Sequence, residues 1–205
     1  MFEIGALLFY IFLVAFTFLV AKTLPFPKHL LNSSGEKRHS AMHPKLRTKG
    51  RDWKTVLAFL GLTYKRGEWK RIAFDALAVF FVVLFILTLE STLLSVFNLD
   101  DSAKVAVSIS QFSILIIVVS ATLGPFAEEL FFRGFLQKYL GVFISALIFA
   151  GLHYAFGSVT EIIGAFTAAL VFGYWVKYRN SSLWPVIIAH ALYNFVSVLL
   201  VVIVK

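Results

Sequence analysis

An all-α, polytopic bundle of about seven membrane-spanning helices is the fold this sequence predicts, and three observations carry the prediction. Of its 205 residues 60% are hydrophobic and the mean hydropathy is +0.86, whereas soluble domains average roughly 45–50% apolar residues. The apolar residues come in runs long enough to cross a hydrocarbon core, which needs about 20 helical residues. Only one long polar stretch, 22–71, interrupts them, and it holds most of the 19 Lys and Arg residues. A single integral membrane domain over 1–205 follows, with 22–71 as a basic cytoplasmic loop by the positive-inside rule. The formal charge of +8 is therefore gathered beside membrane spans, where anionic lipid rather than nucleic acid is the expected partner. The absence of cysteine excludes disulfides, thiolate zinc sites and a Cys nucleophile.

Taken in order, residues 1–21 form the first apolar run. No basic region precedes it, Glu3 stands at its start and no small-x-small cleavage site follows it, so it reads as a retained span rather than a signal peptide. Within the basic loop, Asn32-Ser33-Ser34-Gly35 has linker composition, and 53–62 mixes apolar and basic residues as a short helix lying on the membrane surface does. His29, His39 and His43 read as solvated, because no carboxylate or cysteine completes a metal-ligand set around them. Further spans are expected at 72–97, 105–121, 126–140, 142–156, 159–178 and 183–204. They are separated by Asn98-Leu99-Asp100-Asp101, Gly124-Pro125, Gly141, Gly157 and Asn180-Ser181-Ser182. With the amino terminus outside, this count puts the carboxyl terminus inside and leaves Lys138, Lys177 and Arg179 on the outer side, against the charge rule.

The helices of 121–204 carry the residues that set the chain apart. Glu128, Glu129, Arg133, His153, His190 and Asn194 all fall in apolar segments, where ionisable groups are costly and mark functional sites by default. Counted from Gly141, Glu128 lies thirteen residues back and His153 twelve forward, about 18–20 Å each along a helix, so the two share a depth. Glu129 and Arg133 are four apart and face each other, whereas Glu128 points about 100° away. That leaves Glu128 without a local counter-ion and suited to general acid–base work. His190 and Asn194, also four apart, share a face and can offer N–H donors to an oxyanion. The plainer reading is that these groups are interhelical glue, worth about 0.6 kcal/mol each. It suits Asn194 alone and Glu129 with Arg133, but glue needs no concentration of titratable groups. Glu161 reads as an interfacial anchor, Phe149 as packing one turn before His153, and Gly164, Ala165, Ala168 and Gly173 as a helix contact surface.

These residues resemble the CPBP intramembrane proteases, a family that includes type II CAAX prenyl endopeptidases, bacteriocin-processing and self-immunity proteins and the Abi proteins. Its three ordered motifs stand here as Glu128-Glu129-Leu130-Phe131-Phe132-Arg133, Phe149-Ala150-Gly151-Leu152-His153 and His190-Ala191-Leu192-Tyr193-Asn194. The resemblance implies a membrane-embedded endopeptidase in which Glu128 and His153 activate water, His190 and Asn194 stabilise the oxyanion, and Glu129, Arg133 and Phe149 support the site. It also implies a site towards the cytoplasmic side and a membrane-associated substrate, with prenylated CAAX-like tails as the finer suggestion. No cofactor is assigned. Zinc stays open, since Glu128, His153 and His190 are the residue types that would hold it, although asparagine is a poor zinc ligand and the site can be explained without a metal. The chain lacks the His-Glu-x-x-His, Gly-x-Gly-Asp and Gly-x-Ser-x patterns of other intramembrane hydrolases. A non-catalytic immunity or scaffold protein is the alternative. A proton-coupled transporter using Glu128 and Glu161 ranks third, because no internal repeat is evident.

Overall fold

The structure, a computed structural model, describes residues 2–25, 27, 52–179 and 182–203. The expected linker at 32–35, His29, His39, His43 and the Asn180-Ser181 part of the last polar break lie outside the described residues. In chain order the elements are α1 (Phe2–Thr23), α2 (Trp53–Leu60), α3 (Trp69–Val96), α4 (Ala103–Ser110), α5 (Ile114–Ala121) and α6 (Leu123–Glu129). A π-helical turn (Leu130–Leu136), α7 (Gln137–Leu152), a 3-10 turn (His153–Phe156), α8 (Val159–Arg179) and α9 (Trp184–Ile203) complete them. No strand occurs among the described residues, so the all-α expectation is met. Among the described residues, five runs are long and apolar enough to cross a membrane: Ile4–Thr23, Trp69–Val96, Ile114–Phe156, Val159–Arg179 and Trp184–Ile203. The protein is an integral membrane protein.

Two expected breaks behave differently from the sequence reading. The run 105–121 is not one helix: the chain leaves helical geometry before Ser113 (φ −69°, ψ 160°), whose hydroxyl then caps α5 by accepting from the Ile116 amide at 3.4 Å. Gly124-Pro125, by contrast, does not reverse the chain. The Phe126 amide donates to the Thr122 carbonyl at 3.3 Å, and Pro125 falls in the first turn of α6, where its missing N–H breaks no helical bond. Thr122 (φ −126°, ψ −73°) absorbs the kink. At Gly141 the chain does leave the helix as expected, with φ 82° and ψ 171°, a conformation that suits glycine alone. The two arms then lie together, since Ser145 donates to the Phe132 carbonyl at 3.2 Å and the Phe132 and Phe149 rings meet at 5.0 Å.

Side-chain contacts fix which helix ends share a side. Tyr139 donates to the Pro25 carbonyl at 3.0 Å, Lys138 stands over the Phe59 ring at 4.5 Å, Arg179 bonds Asp75 at 2.9 Å, and the Leu183 amide donates to Gly61 at 2.8 Å. Lys138, Lys177 and Arg179 therefore lie at the end that also holds Lys22, α2 and the start of α3, rather than on the opposite side. The expectation of outer basic residues is corrected, and the conflict with the charge rule goes with it. α9 accordingly runs away from this basic end and finishes on the side where α1 starts, whereas the sequence reading put the start of the first helix and the end of the last on opposite sides.

Packing follows the logic of a lipid solvent. Phe74, Phe81 and Phe85 of α3 are 60–70% exposed, facing what would be acyl chains. Between α7 and α8, beside the rings of Phe132 and Phe149, the buried cluster consists of the small residues Ala146, Ala150, Ala165 and Ala169, because helices without a hydrophobic drive to associate gain by close backbone approach. Gly173 carries this furthest: a Cβ there would meet Gln137 Oε1 and Val142 Cγ1 at 2.7 Å, while the Gln137 amide donates to the Gly173 carbonyl at 3.0 Å. The expected contact surface on α8 is thus present in Ala165 and Gly173. α2 is capped by Asp52, which accepts from the Thr55 amide at 2.8 Å, and it buries Val56, Phe59 and Leu60 against the bundle.

At the opposite end Asp101 clamps α8. Its carboxylate accepts from the Ser158 hydroxyl at 2.6 Å, from the Val159 and Thr160 amides at 3.1 and 3.0 Å, and from Lys104 at 2.9 Å. The Ser158 bond first, then these amides and Lys104, hold its pKa well below the usual carboxylate range. A carboxyl whose folded pKa is depressed stabilises the fold fully above its unfolded value, near pH 4, and loses that contribution as pH falls through the folded value. Asp101→Asn is therefore expected to lower Tm in detergent at pH 7, with the gap to wild type narrowing only below about pH 4. Equal melting at pH 7 would contradict the clamp.

Candidate active site

Glu129 is the hub of the site. Its side chain is fully buried, and Oε1 accepts from Arg133 Nη1 at 2.8 Å and from His190 Nδ1 at 2.9 Å. The first of these contacts is the one the four-residue spacing predicts. The second comes from α9 and has no spacing signal in the chain. Arg133 is 2% exposed and lies with its guanidinium over the Phe149 ring at 4.6 Å and the Phe172 ring at 5.4 Å. Two aromatic faces thus add cation–π attraction to an ion pair that would otherwise carry a large desolvation cost. The π-helical turn that carries Arg133 is a local widening of a kind that recurs at functional sites.

Glu128 sits one residue earlier and faces elsewhere, as expected. Its Oε2 is 3.8 Å from His190 Nε2, and its Oε1 accepts from the Tyr10 hydroxyl of α1 at 3.2 Å. Because Nδ1 of His190 faces the Glu129 carboxylate, that nitrogen carries the proton and Nε2 is the one turned to Glu128. At 3.8 Å the two groups are too far apart for a direct hydrogen bond, but they can share one water molecule.

His153 begins the 3-10 turn after α7, and its Nδ1 donates to the Phe149 carbonyl at 2.9 Å. This leaves Nε2 as the ring nitrogen not engaged by that bond. Phe149 packs against three members of the group, with ring separations of 4.5 Å to His153 and 6.2 Å to His190, besides Arg133. Packing is therefore its role, but packing that orients the site. Asn194 lies one turn beyond His190, and its amide donates to the Ser120 carbonyl at 3.0 Å. One N–H of that amide is committed to α5 and a second remains. The structure thus joins Glu129, Arg133 and His190 directly, sets Glu128 3.8 Å from His190, brings in His153 through Phe149, and ties Asn194 to the neighbouring helix.

Among the described residues, no three His, Asp or Glu side chains are gathered as a metal-ion ligand set. Glu128, His153 and His190 do not form such a set in this arrangement. Tyr10 and Ser120 are the partners that sequence reasoning missed. Neither lies in a motif, and a tyrosine in an apolar run or a carbonyl at a helix end carries no spacing signal.

A membrane-embedded helix bundle with a buried Glu–Arg–His network is the class that fold and site define. Residues 110–196 match the family model described as type II CAAX prenyl endopeptidase Rce1-like. Over that segment, which is under half of the chain, the sequence is similar to the Rce1-like family, in keeping with the three motifs. No curated protein and no solved structure matches it.

Proposed function

We propose that this protein is an intramembrane endopeptidase in which Glu128 is the general base. The observation that carries the reading is the placement of Glu128 Oε2 3.8 Å from His190 Nε2, with the imidazole held by Glu129. In this mechanism a water molecule gives a proton to Glu128 while its oxygen attacks the scissile carbonyl carbon, assisted by the free Nε2 of His153. The oxyanion takes hydrogen bonds from the remaining Asn194 N–H and from His190 Nε2 when the ring carries both protons. Glu128 then returns its proton to the leaving amine as the C–N bond breaks. The similarity of residues 110–196 to the Rce1-like family supports a CAAX-type substrate, and we extend it to a prenylated, membrane-associated tail from which the terminal tripeptide is removed. The positive-inside rule assigns the basic end to the cytoplasm. The site opens to that side in this reading, His190 standing six residues into α9, about 9 Å from its start.

A non-catalytic scaffold or immunity role is favoured by one observation, the use of the Asn194 amide to join α9 to α5. The two readings separate in a single assay. Wild-type protein in liposomes is expected to release the tripeptide from a farnesylated CAAX peptide faster than from the unprenylated peptide, with a chelator arm reporting any metal requirement. Failure to cleave either peptide would reject the endopeptidase reading in favour of the scaffold.

A further inference from the structure

Glu128 is held from outside the matched segment. α1 packs against α6 and the π turn, with Phe16 against Phe131 at 6.4 Å, and this lays Tyr10 beside the site across 118 residues of sequence. The approach is prepared on both sides. At Gly124, one turn before Glu128, a Cβ would meet the Tyr10 ring at 3.2 Å and its hydroxyl at 3.3 Å, tighter than ordinary packing allows. A methyl group there would push the phenol by a few tenths of an ångström, so glycine lets it reach past α6 to the carboxylate undisplaced. Tyr10 donates to Oε1, which leaves Oε2 as the oxygen facing His190.

We propose that Tyr10 is a positioning residue of this site, fixing the Glu128 carboxylate by one oxygen so that the other is presented to the shared water beside His190. The proposal rests on the endopeptidase reading and extends its machinery to α1. A carboxylate free to rotate about its last bond spends part of its time with neither oxygen aimed at the water, and misplacement by about 1 Å can cost on the order of 100-fold in rate. A phenol anchored on a separate helix removes that freedom. Tyr10 does not touch the scissile bond in this arrangement and acts only through Glu128.

The test pairs a spectroscopic readout with kinetics. The Glu128 carboxylate band is isolated as the infrared difference between wild type and Glu128→Gln, and again between Tyr10→Phe and the double variant. Loss of the phenol donor is expected to displace this band and to lower kcat on the farnesylated peptide roughly 10- to 100-fold, with KM nearly unchanged. Gly124→Ala, which pushes the ring without removing the hydroxyl, should move the band in the same direction by a smaller amount. An undisplaced band in Tyr10→Phe would overturn the proposal, and so would a displaced band with wild-type kcat. A wild type that cleaves neither peptide overturns the endopeptidase reading and this role with it, whatever the band does. An active wild type with an undisplaced band overturns the role of Tyr10 alone.

Discussion

Glu128→Gln is expected to lower turnover of a cleaved peptide by about 10²- to 10⁴-fold, the range general acid–base catalysis supplies, while leaving the fold intact. The substitution is chosen because it separates chemistry from packing. Glutamine keeps a carbonyl oxygen that can accept from the Tyr10 hydroxyl, now bonded to Oε1 at 3.2 Å, and it keeps the size of the side chain. It loses the ability to take a proton from water. Glu128 makes no hydrogen bond to Arg133, whose partner is Glu129, so the substitution leaves the buried ion pair untouched. Thermal unfolding in detergent should therefore change by less than about 1 kcal/mol. The comparison is read on liposomes carrying equal amounts of protein and the peptide that wild type cleaves best. Full turnover by the variant would remove Glu128 as the base, and a large loss of stability would show that it serves the fold instead.

The residues legible in the sequence were those whose partners lie within one helix or one turn. Glu129 and Arg133 pair as their four-residue spacing requires, at 2.8 Å. Gly141 carries the positive φ that a glycine between two apolar runs suggests, and Glu128 and His153, counted from it, fall on antiparallel arms. Gly124-Pro125 misled because the same dipeptide serves as a turn or as the first turn of a helix, and only the bond from Phe126 to Thr122 decides which. The break before Ser113 was hidden by the apolar residues around it, since hydropathy reports burial in lipid and not helix continuity. Once these two are exchanged, Ile114 to Leu140 becomes one kinked helix, the order of sides reverses after it, and the basic residues Lys138, Lys177 and Arg179 gather at one end. The contact between His190 and Glu129 was beyond reach for another reason. It joins two helices 61 residues apart, and nothing in either motif says which carboxylate of the pair the imidazole will choose.

Arg133→Met is expected to cost about 3–5 kcal/mol of stability, the largest effect of any single substitution in the site. The guanidinium is 2% exposed and its partner carboxylate fully buried, so its removal strands a charge where water cannot solvate it. Two further losses accompany it, the cation over Phe149 at 4.6 Å and over Phe172 at 5.4 Å, each of the order of 0.5–2 kcal/mol. Methionine fills most of the volume, which keeps the change from being a cavity effect. The His190 imidazole still bonds Glu129 at 2.9 Å, but that one hydrogen bond does not replace the guanidinium's fixed charge. The double variant Glu129→Leu with Arg133→Met removes both charges and should recover much of the stability, because a buried ion pair replaced as a unit by apolar groups is often close to neutral. It should not recover activity. Without Glu129 nothing in the structure holds Nδ1 of His190, and the ring is free to turn Nε2 away from Glu128. Unfolding of the single and double variants in detergent, measured beside peptide cleavage, tests both halves. If Arg133→Met were as stable as wild type the pair would be idle in folding, and an active double variant would show that Glu129 does not orient the histidine.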